Sequence, residues 1–297
     1  MPDHVDVAMT EIFRMTAFSD HPDGGNPAGV VLEGAGLTDA EMLHLAAEVG
    51  FSETAFVLSG PDSDGAARLR FFSPLAEVPF CGHATVATAV LLAERTGQDR
   101  FSFDTPAGEI SLRTRTADGV THASFTSVEP WVRELEHQTL TDLLSLLGIH
   151  REDLDPRLPP RESFAGNPHP VLAVRDAEVF DSFDVDPQAV RRLMDAQGWT
   201  GTVTVVHRMA PTPGSEPPGP LTFEARNIFP VGEITEDPAT GSAAASVGAW
   251  LRSLGAVSPP EQVVIHQGRH VGRPSVLLGH VPEAGGITVT GTATLIR

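Results

Sequence analysis

Two runs of small residues limit the folds open to this chain more than any other feature. Cys81-Gly82-His83-Ala84-Thr85 leads into Val86-Ala87-Thr88-Ala89-Val90-Leu91-Leu92-Ala93 and is closed by Gly97. Glu236-Asp237-Pro238-Ala239-Thr240-Gly241-Ser242 leads into Ala243 to Gly248 and ends in Trp250 and Leu251. The first run is apolar nearly all round, the pattern of a helix buried on every side. Gly82 and Gly241 lie 159 positions apart, Gly108 and Gly268 160 apart, and Gly25-Asn26-Pro27 and Gly166-Asn167-Pro168 141 apart. Three anchors in one order indicate an internal duplication, with about 18 residues inserted in one half. The expected fold is therefore α+β: two pseudo-repeated domains, each a barrel-like, mostly antiparallel sheet around a central buried helix, at 84–95 and 240–253. The expected domains are 1–128, completed by the C-terminal strand 287–297, and 129–297.

Helix starts made of small residues leave backbone N–H groups uncovered, and these together with the helix dipole attract an anion. Asp237 or Thr240 can cap the second helix, and Pro238 suits a first turn. An ordinary capped helix packed through alanines explains the stretch equally well. Glu53 opens an apolar strand beside Phe51 and Phe56, where a partly desolvated carboxylate suits acid–base chemistry. The plainer alternative, a solvated strand-end glutamate, is the one the residues alone favour. Cys81 stands at a helix N-terminus, which activates a thiol, but a lone cysteine is more often a small packing residue. His83 is the better polar contact for an anion, its alternative being a histidine bonded to backbone. Asp237 is the counterpart in the second half. His266 and His270 flank Gly268 in a turn and show no third ligand, so no metal site is read there.

Composition removes several classes of function. The net charge of −19 argues against nucleic acid or an anionic membrane as partner. There is no lysine, which excludes a Schiff-base or P-loop lysine, and no tyrosine, so acid–base work falls to Asp, Glu, His or Cys. One cysteine excludes an intrachain disulfide and a thiolate zinc cluster. The N-terminal residues lack signal-peptide character, and the longest apolar run is too short to span a bilayer. The cytoplasm is the expected compartment, and the expected partners are a small carboxylate-bearing substrate and a second copy in a homodimer.

Along the first half, strands are predicted at 11–18, 28–32, 51–58, 68–72, 101–104, 109–114 and 121–126. Thr38-Asp39-Ala40-Glu41 is a capping box that opens a helix stopped by Gly50. The composition changes over Glu129 to Gln138, where the domain boundary is placed. Helices follow at 139–147 and from Asp186-Pro187 to Met194, with strands at 171–174, 203–207, 221–228, 263–266, 275–278 and 287–296. Arg151 to Pro160 and the proline-rich stretch Ala210 to Pro220 read as loops.

Four stretches together resemble the PhzF-like phenazine-biosynthesis family, within the diaminopimelate-epimerase-like fold. They are Asp23-Gly24-Gly25-Asn26-Pro27-Ala28-Gly29-Val30, Phe51-Ser52-Glu53-Thr54-Ala55-Phe56, Phe80-Cys81-Gly82-His83-Ala84-Thr85 and Glu236-Asp237-Pro238-Ala239-Thr240-Gly241-Ser242-Ala243. They span most of the chain in order. The resemblance implies two similar domains with the active site in the cleft between them. It implies isomerisation with no cofactor, in which Glu53 moves a proton on carbon, with His83 and Asp237 as further catalytic residues. It implies substrate contacts from Asn26, Gly82, Ala84, Gly241, Ser242 and Ala243. Diaminopimelate epimerase itself uses two facing cysteines. Here Cys81 stands where one could be, and Thr240-Gly241-Ser242 offers no thiol.

The reading is thus a cofactor-independent isomerase shifting a proton and a double bond on a small unsaturated carboxylic or amino acid, resembling trans-2,3-dihydro-3-hydroxyanthranilate isomerase, in secondary metabolism. The alternatives kept open are a Cys/His hydrolase or transferase using Cys81, an amino-acid epimerase or racemase, and a non-catalytic small-acid binding protein.

Overall fold

The computed structural model describes residues 10–210, 219–231 and 234–296. Most of the stretch read as a loop at Ala210 to Pro220 lies outside the described residues. The chain divides into two compact units: one holds the residues up to Phe125 and those from Thr290 onward, the other Thr126–Val289.

The first unit carries β1 (Phe13–Ala17), β2 (Asn26–Val31), α1 (Asp39–Val49), β3 (Glu53–Ser59), β4 (Ala66–Phe72), β5 (Glu77–Val78), α2 (Gly82–Thr96), β6 (Arg100–Thr105), β7 (Gly108–Ala117) and β8 (Val120–Thr126). The last strand of the chain, β17 (Thr288–Leu295), pairs antiparallel with β1 and also joins β8. The order β1-β2-β3-β4-β6-β7-β8-β17 therefore returns to β1 and closes an eight-stranded barrel. Two of its joints, β2–β3 and β4–β6, are parallel. Closure leaves no free sheet edge.

α2 forms as predicted: Gly97 takes the left-handed conformation at its end, and His83 through Ala93 are all buried. Burying Val86, Val90, Leu91 and Leu92 stabilises by about 1.5–3 kcal/mol each. The two buried threonines cost little, because Thr85 Oγ1 donates to the Cys81 carbonyl at 2.7 Å and Thr88 Oγ1 to that of Ala84 at 2.8 Å. α1 has the predicted capping box, Thr38 with Glu41, and packs Met42, Leu45 and Ala46 with Phe56 and Phe72.

The second unit carries β9 (Trp131–Glu134), α3 (His137–Leu147), β10 (Arg161–Phe164), β11 (Pro168–Val174), α4 (Ala177–Ser182), α5 (Pro187–Gln197), β12 (Val203–Arg208), β13 (Leu221–Val231), β14 (Ile234–Asp237), α6 (Gly241–Ser253), β15 (Glu261–Gln267) and β16 (Ser275–Val281). Its joints run β10–β11 antiparallel, β11–β12 parallel, β12–β13 antiparallel, β13–β15 parallel and β15–β16 antiparallel. The first unit has the same alternation from β1 to β7. All three anchors fall at matching places: at the starts of β2 and β11, at the starts of α2 and α6, and in the β6–β7 and β15–β16 turns. The duplicated α+β architecture is borne out. Part of the length difference is also located, since the second unit spends α4 and α5 where the first spends α1.

α6 is buried from Ala243 to Leu251, and Trp250 Nε1 donates to the Pro159 carbonyl at 3.0 Å. Gly248 lets the helix approach closely, since a Cβ there would meet Ile287 Cγ2 at 2.9 Å. A separate apolar layer, with Leu143, Leu144 and Leu147 of α3, Val190 and Met194 of α5, and Phe180 of α4, covers Leu172, Val203, Val205 and Ile228 of the sheet.

The structure corrects several sequence readings. Glu129 to Gln138 holds a strand that was not predicted, β9, which pairs with β10, also not predicted. Both are four-residue strands near prolines, too short to show alternation. Pro238 is not in the first turn of α6, which begins three residues later. Among the described residues no helix is long and apolar enough to cross a membrane.

Candidate active site

In the first unit, Gly50 ends α1 in the left-handed conformation and the chain re-enters the sheet at Glu53, the first residue of β3. β3 runs parallel to β2 with Glu53 opposite Ala28. Asn26, two residues before Ala28 on the same face, is buried at the same end of the barrel. Cys81 is the extended N-cap residue of α2, and its side chain does not cap. The amides of Gly82, His83 and Ala84, which lack partners within the helix, thus open the helix uncapped. A Cβ at Gly82 would meet only the Phe80 ring, at 3.8 Å.

Glu53 Oε2 lies 3.4 Å from His83 Nε2 and accepts from the Cys81 thiol at 3.4 Å. Ser52 Oγ is 3.4 Å from the same Nε2. The Glu53 side chain is 21% exposed and that of His83 9%, whereas Cys81 is 6% exposed. The carboxylate is therefore the member of the trio most open to a ligand. Positions two apart in sequence need not face each other, yet Cys81 and His83 do, because the extended N-cap turns the thiol back across the first helical turn.

Glu53, Cys81 and His83 offer three donor atoms within 4.8 Å of one another. Here Sγ is closer to Nδ1, at 3.3 Å, than to Nε2, at 3.6 Å. These contacts are those of a hydrogen-bonded proton-transfer cluster, and the same three donor atoms are close enough to hold a metal ion.

In the second unit, Asp237 ends β14, opposite Asn227 of β13. The preceding strand position, Glu236, is tied to Arg226 of β13 by a buried ion pair. The Thr240 side chain does not cap α6. Thr240 holds the N-cap position, but its hydroxyl donates to Asp237 Oδ2, a partner nearer than the helix amides. The Gln267 side-chain amide donates to the Asp237 carbonyl at 2.6 Å and to Thr240 Oγ1 at 3.0 Å. Its Oε1 accepts from the Thr240 amide at 3.2 Å, and Ser275 Oγ donates to the Pro238 carbonyl at 2.8 Å. The loop from Asp237 to Thr240 is clasped, and the Gly241, Ser242 and Ala243 amides open α6 uncapped as their counterparts open α2.

Ser242 Oγ is 3.0 Å from Nε2 of His169, a fully buried residue of β11. Burial pushes this imidazole down to about 4, against a smaller opposing contribution from the Thr202 backbone. Val171 opposes Thr204 across the parallel β11–β12 joint, so His169 lies opposite Thr202. Thr202 thus stands where Glu53 stands in the first unit, and Ser242 where His83 stands. The duplication kept the scaffold, while one half carries a carboxylate at this position and the other a neutral hydroxyl.

Sequence reading missed His169, Thr202 and Gln267. His169 directly follows the repeated Asn167-Pro168, and Gln267 directly precedes the repeated Gly268, so both anchors marked the place without indicating the role.

The family model "Phenazine biosynthesis-like protein" (PhzC-PhzF) matches residues 15–297. The uncharacterized isomerase YddE of Escherichia coli (strain K12) is 30% identical over 96% of each chain. The trans-2,3-dihydro-3-hydroxyanthranilate isomerase of Pseudomonas aeruginosa is 28% identical over 91% of this chain and 89% of its own. The PhzF-family phenazine biosynthesis protein of Bacillus anthracis, a crystal structure, superposes with a TM-score of 0.81 at 25% identity, covering 97% of each chain. With the duplicated barrel fold and the helix starts at Gly82 and Gly241 in place, the chain belongs to the phenazine biosynthesis-like PhzC-PhzF family and is an isomerase.

Proposed function

We propose that the protein moves a proton, and with it a double bond, on a small unsaturated carboxylic acid of the dihydro-hydroxyanthranilate type, using Glu53 as the acid–base group. The observation that carries this is the exposure of the Glu53 carboxylate beside His83 Nε2 at 3.4 Å, with the thiol more deeply covered. The relative named trans-2,3-dihydro-3-hydroxyanthranilate isomerase supports the substrate class.

The ionised carboxylate takes a proton from an sp3 carbon next to the unsaturated system. The released electron pair shifts through the double bond, and the distal carbon takes up a proton. No atom is gained or lost, so a carboxyl that gives back what it took completes the cycle. His83 Nε2 sits within reach of the same oxygen, so it steadies the charge as the proton leaves and returns. In this reading Asp237 orients the substrate. The substrate carboxylate accepts from uncapped helix amides, with Asn26, Gly82, Ala84, Gly241, Ser242 and Ala243 as the binding residues.

The Cys81–His83 contacts at 3.3 and 3.6 Å favour a second reading, a thiol nucleophile. Turnover of trans-2,3-dihydro-3-hydroxyanthranilate in D2O separates the two. Glu53→Gln is expected to lose roughly 10²–10⁴-fold in rate, the usual worth of a general acid–base group, and Cys81→Ala much less. Deuterium should enter at a substrate carbon, unless the carboxyl carries one proton across without exchange. An inactive Cys81→Ala beside an active Glu53→Gln would overturn the assignment and restore the nucleophile.

A further inference from the structure

We propose that His169 is a positioning residue that fixes Ser242 as a hydrogen-bond donor toward the substrate carboxylate. This rests on the reading of Ser242 as a substrate contact and adds what decides the direction of its hydrogen bond.

The chain of contacts starts at a backbone group that cannot turn. The Thr202 amide donates to His169 Nδ1 at 2.9 Å. Thr202 is buried, so a proton on Nδ1 would face this N–H head-on and leave it without an acceptor, and orphaned buried N–H groups are rare. The Thr202 hydroxyl and carbonyl oxygens also lie 3.0 and 3.1 Å from Nδ1. The carbonyl is the one competitor for a proton there, but a buried carbonyl goes short of a donor more readily than a buried N–H goes without an acceptor. The Thr202 hydroxyl already has an acceptor, Asn227 Oδ1 at 2.6 Å, which also accepts from Thr204 Oγ1 at 2.7 Å. Nδ1 is therefore bare and the proton sits on Nε2.

Nε2–H then donates to Ser242 Oγ at 3.0 Å. A serine oxygen that accepts on one side carries its own proton elsewhere. That proton joins the Gly241 and Ser242 amides as a donor at the α6 N-terminus. The opposite tautomer would reverse this, with Ser242 donating to Nε2 and presenting only lone pairs, which repel a carboxylate. Complete burial keeps the imidazole neutral, so His169 sets the direction of a hydrogen bond without adding charge.

The test has two independent arms. Long-range ¹H–¹⁵N spectra of the full chain should show His169 with a protonated Nε2 and a bare Nδ1, unchanged between about pH 5 and 8. A protonated Nδ1 overturns the role of His169. The second arm is calorimetric titration with anthranilate, a stable aromatic amino acid carrying the carboxylate. Ser242→Ala should weaken binding roughly 10- to 100-fold, the worth of a hydrogen bond to a charged group. His169→Leu should weaken it similarly, and the double variant no further than Ser242→Ala alone. His169→Gln, whose amide can donate from near the Nε2 position, should recover most of the loss and confirm that the Leu variant fails through the hydrogen bond. Additive losses would show that His169 acts independently of Ser242 and overturn the proposal. Ser242→Ala binding anthranilate as tightly as the native chain would overturn the underlying substrate contact, whatever the tautomer.

Discussion

Arg226→Met should destabilise the second unit by about 3–5 kcal/mol, the cost of breaking a buried ion pair from one side. The Arg226 side chain is 8% exposed and that of Glu236 10%. The guanidinium bonds both Glu236 oxygens, donates to the Phe180 and Phe183 carbonyls at 3.1 and 2.8 Å, and lies 3.7 Å from the Phe183 ring centroid. Methionine fills much of the volume and returns none of these donors. The larger part of the loss is the stranded Glu236 carboxylate. Arg226→Met with Glu236→Leu removes that charge and should recover half or more of the loss, leaving only the two carbonyls short of a donor. Thermal unfolding followed by circular dichroism reads this directly, at about 2–4 °C per kcal/mol for a unit of this size. A double variant as unstable as Arg226→Met would refute the reasoning, because Glu236 would then carry no penalty when unpaired. Since Glu236 precedes Asp237 on β14, activity should fall in Arg226→Met at temperatures where the chain is still folded.

Gly291→Ala should cost about 1–3 kcal/mol by overpacking, since its Cβ would lie 2.2 Å from Cδ1 of the buried Phe18 ring; urea unfolding of the two chains gives the difference. Asp186→Ala removes the acceptor for the Gln188 and Ala189 amides at the start of α5 and should cost about 1 kcal/mol with no change in turnover. His169 sets a pH dependence. Its folded value is about 4 against an ordinary 6.5, so as pH falls between these values the unfolded chain binds a proton that the folded chain does not. Stability from this group is complete above about pH 6.5 and drops by about 3 kcal/mol as pH falls towards 4. His169→Gln should flatten that part of the profile, and an unchanged slope in urea titrations across the range would contradict the burial of a neutral imidazole.

Much of the architecture was legible in the sequence because it rests on local and repeated signals. The apolar run after Gly82, the capping box at Thr38 and the Asp186-Pro187 helix start each act within one or two turns, and all three formed where expected. The repeated glycines marked equivalent places because both halves reuse one alternation of parallel and antiparallel joints. The short strands β9 and β10 were not legible, since four residues cannot display a period and their pairing is decided by distant partners.

The candidate site divides in the same way. Glu53, His83, Asp237 and Ser242 stand out in the sequence because they border glycine-rich helix starts or open an apolar strand. Their contacts do not. That the Cys81 thiol lies against both Glu53 and His83 depends on an extended N-cap residue. That Thr240 binds Asp237 and not the helix amides depends on Gln267, 27 residues away. That a buried His169 governs Ser242 depends on the packing of α6 against β11, which brings together groups 73 positions apart. The sequence by itself determined which residue types were available and where the helices must be buried. Only the tertiary structure decided which donor meets which acceptor, because a hydrogen bond's direction is set by the fixed backbone groups around it, and those come from strands far apart in the chain.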